Sequence, residues 1–355
     1  MVRYRQSARY LSTILRSFPG HGAMAAVRAG VAAVLPGLLL ISIALAAGAK
    51  PYRIGIVLPG DQWGSGVDGL KEGMRGLGYV EGRDIHYLIA NAAGDKAKIE
   101  EATRQFVAQK VDVVYTITNT ALKIVAQVAE PSRTVVVFGS ASGPVESGII
   151  PSYVTPDTYI TGVTSGSIEL VAKRLEMLKE VLPHVKRVGV IGERDADGSR
   201  AALKVAGETA RELDLTVIEF TVSSNEEAVH VAKNLTPKEV DALFLIPSLH
   251  SVGVAGELAG AARSARLPFA VYQVEQVQNH GALLSYGSSY FLQGKQAASL
   301  VDKVLRGVPP ARLPIERPRF HQLTLNLDTA REIGVTFSPD VLNRADQLID
   351  SRSQR

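Results

Sequence analysis

At 355 residues, 46% apolar and 21% charged, the chain is long enough for two domains with sizeable cores, and its composition is neither disordered nor coiled-coil. Its net charge of +4 gathers at the start, where Arg3, Arg5, Arg9, Arg16 and Arg28 have no acid among them; the rest is near balance, which argues against nucleic acid as a partner. There are no cysteines, which excludes disulfides, thiolate metal sites, cysteine nucleophiles and a lipid-modified cysteine.

The first element in chain order is an address label. Residues 29–49 carry no charge, follow basic residues and close in small ones. Ala44-Leu45-Ala46 and Ala47-Gly48-Ala49 both fit an A-x-A cleavage pattern, and Met24 offers an alternative start. Residues 1–49 therefore read as a cleavable signal peptide that sends the chain to the periplasm. A stretch of this length also suffices for a membrane anchor facing the periplasm, and that alternative stays open.

From Tyr52 the pattern alternates strand and helix. Arg53–Leu58 reads as a buried strand, Val67–Leu77 as a helix stopped by Gly78, and Asp84–Ala90 as a second strand. Ala97–Gln109 follows as a helix, Val111–Ile117 as a strand, Ala121–Ala129 as a helix and Thr134–Phe138 as a fourth strand. Such alternation means βαβ units and a parallel sheet covered by helices on both faces.

The pattern then restarts. Arg187-Val-Gly-Val-Ile191 echoes Arg53-Ile-Gly-Ile-Val57, and Gly198-Ser199 echoes Gly64-Ser65, both offset by 134 residues. Val240-Asp241 echoes Val111-Asp112. The expected fold is α/β, with two doubly wound parallel-sheet lobes and a ligand cleft between them, since ligands bind outside the carboxyl ends of such strands. Lobe I is expected over 50–162 plus 285–322 and lobe II over 163–284 plus 323–355. The crossings fall near Tyr159–Ser165, Gly281–Gly287 and Phe320–Leu327.

Few motifs carry chemistry. Gly64-Ser-Gly66-Val-Asp-Gly69 fits the dinucleotide pattern G-x-G-x-x-G, but it starts some six residues past its strand, and the next strand ends in Ala90-Asn91 rather than an acid. Its equivalent in the second half, Asp197-Gly-Ser-Arg200, lacks the glycines. The simpler reading is a helix N-terminus facing the cleft. Gly139-Ser-Ala-Ser-Gly143 misses the hydrolase elbow because its central residue is alanine. The seven histidines have no metal-ligand spacing, and Asp195 with Asp197 reads more simply as loop capping than as a glycosidase pair. No cofactor is expected.

What recurs is a polar, mostly uncharged loop at each strand's carboxyl end. Thr118, Asn119 and Thr120 follow the third strand, and Ser140 and Ala141 the fourth. Ser248, His250, Gln273, Glu275 and Tyr286 take equivalent places further on. Hydroxyls, amides and helix N-termini seat a carboxylate, while Asp195 or Glu275 suits an ammonium. Trp63, beside Ser65 on the first such loop, can cover an apolar part of a ligand.

The chain resembles the solute-binding components of ABC importers, in the TrpX-like, aromatic-amino-acid branch. The resemblance rests on Ile160-Thr-Gly-Val-Thr164, Gly281-Ala-Leu-Leu-Ser-Tyr-Gly287, Gly294-Lys-Gln-Ala-Ala298, Val304-Leu-Arg-Gly307, Leu313-Pro-Ile-Glu316 and Asn326-Leu-Asp-Thr-Ala330. It implies a type I periplasmic-binding fold with three crossovers, and pocket loops at Thr118–Thr120, Ser140–Ser142 and near Ser248 and Gln273. Ser142-Gly-Pro144, Asp61-Gln-Trp63 and Ser248-Leu-His250 depart from the family on the ligand side. The expected role is capture of a small solute, an amino acid or related carboxylate, by a monomer that delivers it to an ABC permease in the inner membrane. The alternative is a ligand receptor for a signalling partner such as a sensor kinase. Catalysis is not expected.

Overall fold

The computed structural model describes residues 50–154, 158–194, 197–246 and 253–352. The leader expected over 1–49 lies outside them, as do Asp195, Ser248 and His250. Among the described residues no helix is long and apolar enough to cross a membrane.

The first sheet holds β1 (Tyr52–Leu58), β2 (Ile85–Asn91), β3 (Val113–Thr116), β4 (Val136–Ala141) and β5 (Ile160–Thr164). Their order is β2-β1-β3-β4-β5, and every pairing is parallel. Between them run α1 (Gly64–Gly76), α2 (Lys96–Ala108) and α3 (Asn119–Ala129). Successive strand residues face opposite sides, so each strand feeds two cores. Ile54, Ile56, Val113 and Tyr115 pack on one face with Leu70 and Met74 of α1. Val57, Val114, Val136 and Phe138 pack on the other with Phe106 and Leu122.

The second sheet follows α4 (Val171–Val181). It comprises β6 (Arg187–Glu193), β7 (Thr216–Val222), β8 (Ala242–Leu245), β9 (Phe269–Val271), β10 (Leu284–Gly287), β11 (Gln322–Asn326) and β12 (Gln347–Ile349). The order is β12-β11-β10-β9-β8-β6-β7, with only β10 and β11 antiparallel. Its helices are α5 (Asp197–Glu212), α6 (Asn225–Asn234), α7 (Ala255–Ser264), α8 (Val274–His280), α10 (Leu327–Ile333) and α11 (Pro339–Arg344). The intervening α9 (Tyr290–Leu305) belongs to the first lobe, where Ala297, Ala298, Leu300 and Val301 join the core under α1. The architecture is the two-lobed, mainly parallel α/β fold expected. The chain changes sheet after Thr164, after Gly287 and before Gln322.

The internal echo has a physical cause. Asp112 Oδ2 accepts the Arg53 backbone N–H at 2.7 Å, and Asp241 Oδ2 accepts that of Arg187 at 2.7 Å. Each Val-Asp pair thus fixes the third strand of its half against the start of the first. In the second half the Arg187 guanidinium also reaches Asp241 Oδ1 at 2.7 Å. Burial works against ionisation of Asp241, but hydrogen bonds from the Arg187 side chain and from the Arg187 and Lys186 backbone outweigh it and hold the carboxyl down to about 2. A depressed carboxyl stabilises the fold above its unfolded pKa, near 4, and loses that contribution as pH falls through the folded value. Asp241→Asn should therefore lower the melting point at neutral pH and flatten its decline between about pH 4 and 2. An acid limb identical to the parent's in thermal melts would remove Asp241 from that account.

The glycine motif is explained by packing. A Cβ on Gly69 would lie 1.9 Å from the Phe291 carbonyl oxygen, and one on Gly294 would lie 2.0 Å from that of Gly66. Helices α1 and α9 therefore cross backbone to backbone, which only glycine permits at these positions. Gly64, by contrast, faces open space.

Candidate functional site

Past the carboxyl ends of β1 and β9, a contact joins the two lobes directly. Ser65, in the first turn of α1 of the first lobe, donates its hydroxyl to Glu275 Oε1 at 3.3 Å. The Tyr290 backbone N–H, at the start of α9, donates to the same oxygen at 2.7 Å. Glu275 itself stands on α8 of the second lobe and is 7% exposed. Its other oxygen, Oε2, is buried without a hydrogen-bond partner. Burial raises the pKa of this carboxyl against the hydrogen bonds from the backbone and Ser65 that favour its charge. A buried acid with one unanswered oxygen is costly unless a donor or a cation meets it. Trp63, half-buried on a short 3₁₀ turn before α1, packs against the core cluster that contains Tyr290.

The loop after β3 is the second feature. Thr118 caps α3 by accepting from the Ala121 N–H at 3.3 Å, and it does so at φ 76°, ψ 153°. A β-branched residue rarely adopts that conformation, which costs on the order of 1–3 kcal/mol and is characteristically retained at binding sites. The Thr118 N–H is held by the Ser140 carbonyl at 2.7 Å. Asn119 Nδ2 donates to the Ser142 carbonyl and, at 2.9 Å, to Ser147 Oγ, while its Oδ1 is buried with no partner. Thr120 stands half-buried on the first turn of α3.

Ser140 and Ala141 require a correction. They are buried residues of β4 and not a loop after it, because the strand continues past a register shift between Phe138 and Ala141. The Ala141 carbonyl accepts the Ser165 N–H at 2.9 Å, so this strand end holds the first crossover. Ser142 is the first residue beyond the strand. Gln273 is buried at the start of α8, its N–H bonded to Gln276 Oε1 at 3.2 Å and its own Oε1 unpartnered. Tyr286 lies in β10 with its ring stacked on His321 at 6.1 Å.

Sequence reasoning missed Arg174 and Gln293. Arg174 is 3% exposed on α4, and Gln293 is fully buried on α9. Arg174 had a legible signal, for Val171, Arg174, Leu175 and Leu178 fall at helical spacing on one apolar face. Charge on such a face demands partners.

A surface hollow of about 360 Å³ opens between α6 and α7, lined by Asn225, Val229, His230, Lys233, Val254 and Glu257 among others. It contains none of the residues nominated from the sequence. Among the described residues, no group of three or more histidine or acidic side chains is placed to hold a metal ion.

Comparison with known proteins places these features in context. Residues 54–349 match the family model described as ABC transporter substrate binding protein. A tyrosine-binding protein of Clostridioides difficile is 23% identical over 267 residues, spanning 75% of this chain and 76% of its own. An ABC domain from Streptococcus pneumoniae, solved in complex with L-Trp, is 22% identical with a TM-score of 0.75. The match covers 84% of this chain and all of that one. A conserved domain protein of Vibrio cholerae is similar to the same extent, with a TM-score of 0.75 at 22% identity and the same coverage.

Proposed function

Because the chain belongs to the ABC transporter substrate-binding protein family, we propose that it captures an amino acid, or a closely related small carboxylate, between its lobes and delivers it to an ABC permease. The observation that carries this reading is Glu275, a buried acid with an unanswered oxygen where the two lobes touch. An ammonium group is the cation that fits it. The strained α3 N-terminus at Thr118, Asn119 and Thr120, with Ser142 beside it, presents amides and hydroxyls that suit a carboxylate. Trp63, packed against the cluster that holds Tyr290, supplies aromatic surface, in keeping with relatives that bind tyrosine and L-Trp, and Tyr286 is a further aromatic contact in this reading. Asp195, Ser248 and His250, which lie outside the described residues, are further solute contacts in this reading. Hydrogen-bonding groups hold a solute without cleaving it, so the protein is a carrier and not an enzyme.

The leader at residues 1–49 directs the chain to the periplasm, where it acts as a monomer. In this reading the lobes meet where the chain changes sheet, after Thr164, after Gly287 and before Gln322. Solute contact with both lobes shifts the population toward a closed form that the permease accepts.

The test is a thermal-shift screen on protein unfolded and refolded to strip bound ligand. The panel holds aromatic and aliphatic amino acids, small carboxylates, sugars and nucleosides. A ligand at a hundred times its Kd adds about 2.7 kcal/mol. That amounts to about 4 °C in melting point, at roughly 1.5 °C for each kcal/mol in a chain of about 300 residues. Amino acids should raise the midpoint and sugars should not; a response confined to sugars or nucleosides overturns the assignment.

A further inference from the structure

Two of the three crossovers between the lobes meet one buried guanidinium directly, and the third reaches it through a ring stacked on Tyr286. Arg174 Nη1 donates to the Ser167 carbonyl at 2.5 Å, in the first crossover. Its Nε donates to the Tyr286 carbonyl at 2.7 Å, immediately before the second. Its Nη2 points to the Tyr272 carbonyl at 3.5 Å, with the Tyr272 ring 5.7 Å from the charge. The third crossover ends in His321, whose ring lies on that of Tyr286 and close enough to Arg174 for the charge to disfavour its protonation, although burial contributes more. No carboxylate among the described residues pairs with Arg174. Burial lowers its pKa to about 9, so the fold bears a cost for keeping it there.

A second tie stands on the other side of the same crossovers. On α9 of the first lobe, Gln293 Nε2 reaches the Ser165 carbonyl at 3.5 Å. Gln296 Nε2 donates to the Arg317 carbonyl at 2.9 Å, and its Oε1 accepts the Arg319 N–H at 3.0 Å. Only a few residues of each crossover lie between the two ties. They include Gly166, at φ 61° and packed on Pro318.

We propose that Arg174 is a positioning residue for solute capture, binding the second-lobe ends of the three crossovers into one base so that the lobes turn about a single pivot. Arginine suits the task because its planar fork reaches several carbonyls at once, whereas lysine's single ammonium cannot span them. Hinge closure of this kind is absorbed by a few residues at element ends, here those near Gly166, Ser288 and Pro318.

The inference rests on the two-lobe capture reading, yet its test needs no solute and so stands or falls apart from the ligand's identity. Because the chain has no cysteine, dyes attach cleanly at Lys98→Cys on α2 and Lys233→Cys on α6. Single-molecule energy transfer then reports the inter-lobe distance distribution in ligand-free protein, and hydrogen exchange reports the crossovers. Arg174→Gln should broaden that distribution and speed exchange at residues 165–168 and 286–288 by tenfold or more, while β1 and β6 stay protected. Arg174→Lys, which keeps the charge, should do the same to a smaller degree, and it decides the matter if the glutamine variant does not fold. An inter-lobe distribution matching the parent's in the folded variant overturns the proposal, as does faster exchange confined to α4.

Discussion

Gly69→Ala should destabilise the protein by about 1–3 kcal/mol, the usual cost of forcing extra volume into a packed contact. The added carbon would fall 1.9 Å from the Phe291 carbonyl oxygen, so α1 and α9 must separate. Separation opens the core beneath them, where Leu70 and Met74 meet Ala297 and Val301. Gly64→Ala is the control within the same motif. It stands in helical conformation at φ −55°, ψ −38°, with nothing within 4 Å of the added carbon. Alanine there should be neutral or stabilise by up to about 1 kcal/mol, since glycine weakens a helix. Thermal melts of the two variants separate helix packing from phosphate binding. A nucleotide cradle requires both glycines for backbone approach, so it predicts lost nucleotide binding in both variants with no such asymmetry in stability. Equal melting points for Gly69→Ala and the parent would remove the helix-crossing account.

That contrast shows what a sequence carries. The order of elements was legible because buried parallel strands are unbroken β-branched runs and their helices repeat with a period near 3.6. The halves were legible because Asp112 and Asp241 each recur to tie a third strand to a first. Gly66 and Gly69 were ambiguous, since a close approach to phosphate and a close approach to another helix call for the same residue. Only the position of α9, more than two hundred residues later, distinguishes them. Ser140 and Ala141 resembled a loop because small residues after a glycine carry no strand signal. They stay in β4 because Ser165 and Thr118 bond to their carbonyls. The apolar face around Arg174 made its burial legible, but not its role, because its partners are backbone carbonyls, which leave no mark on side-chain identity.

Glu275→Gln should separate stability from capture. A carboxyl whose folded pKa is raised adds stability that is fully present below its unfolded pKa and lost as pH rises through the folded value. Burial raises that of Glu275, so the parent protein bears the cost of its charge at neutral pH. Glutamine keeps an oxygen to accept from Ser65 and the Tyr290 N–H but carries no charge. The ligand-free variant should therefore melt higher than the parent at neutral pH, with the gap closing toward about pH 4. Solute affinity should move the other way. A charge-assisted hydrogen bond contributes about 1.5–3 kcal/mol, so Kd for an amino-acid ligand should rise roughly 10- to 100-fold. Titration calorimetry with L-phenylalanine and with 3-phenylpropionate, its counterpart without the amino group, isolates the contact. Only the amino acid should lose affinity. If both ligands bind the variant as they bind the parent, Glu275 serves as a tie between the lobes and the ammonium is held elsewhere in the cleft. Higher stability with weaker capture, by contrast, is the pattern of a charge kept buried for the solute that answers it.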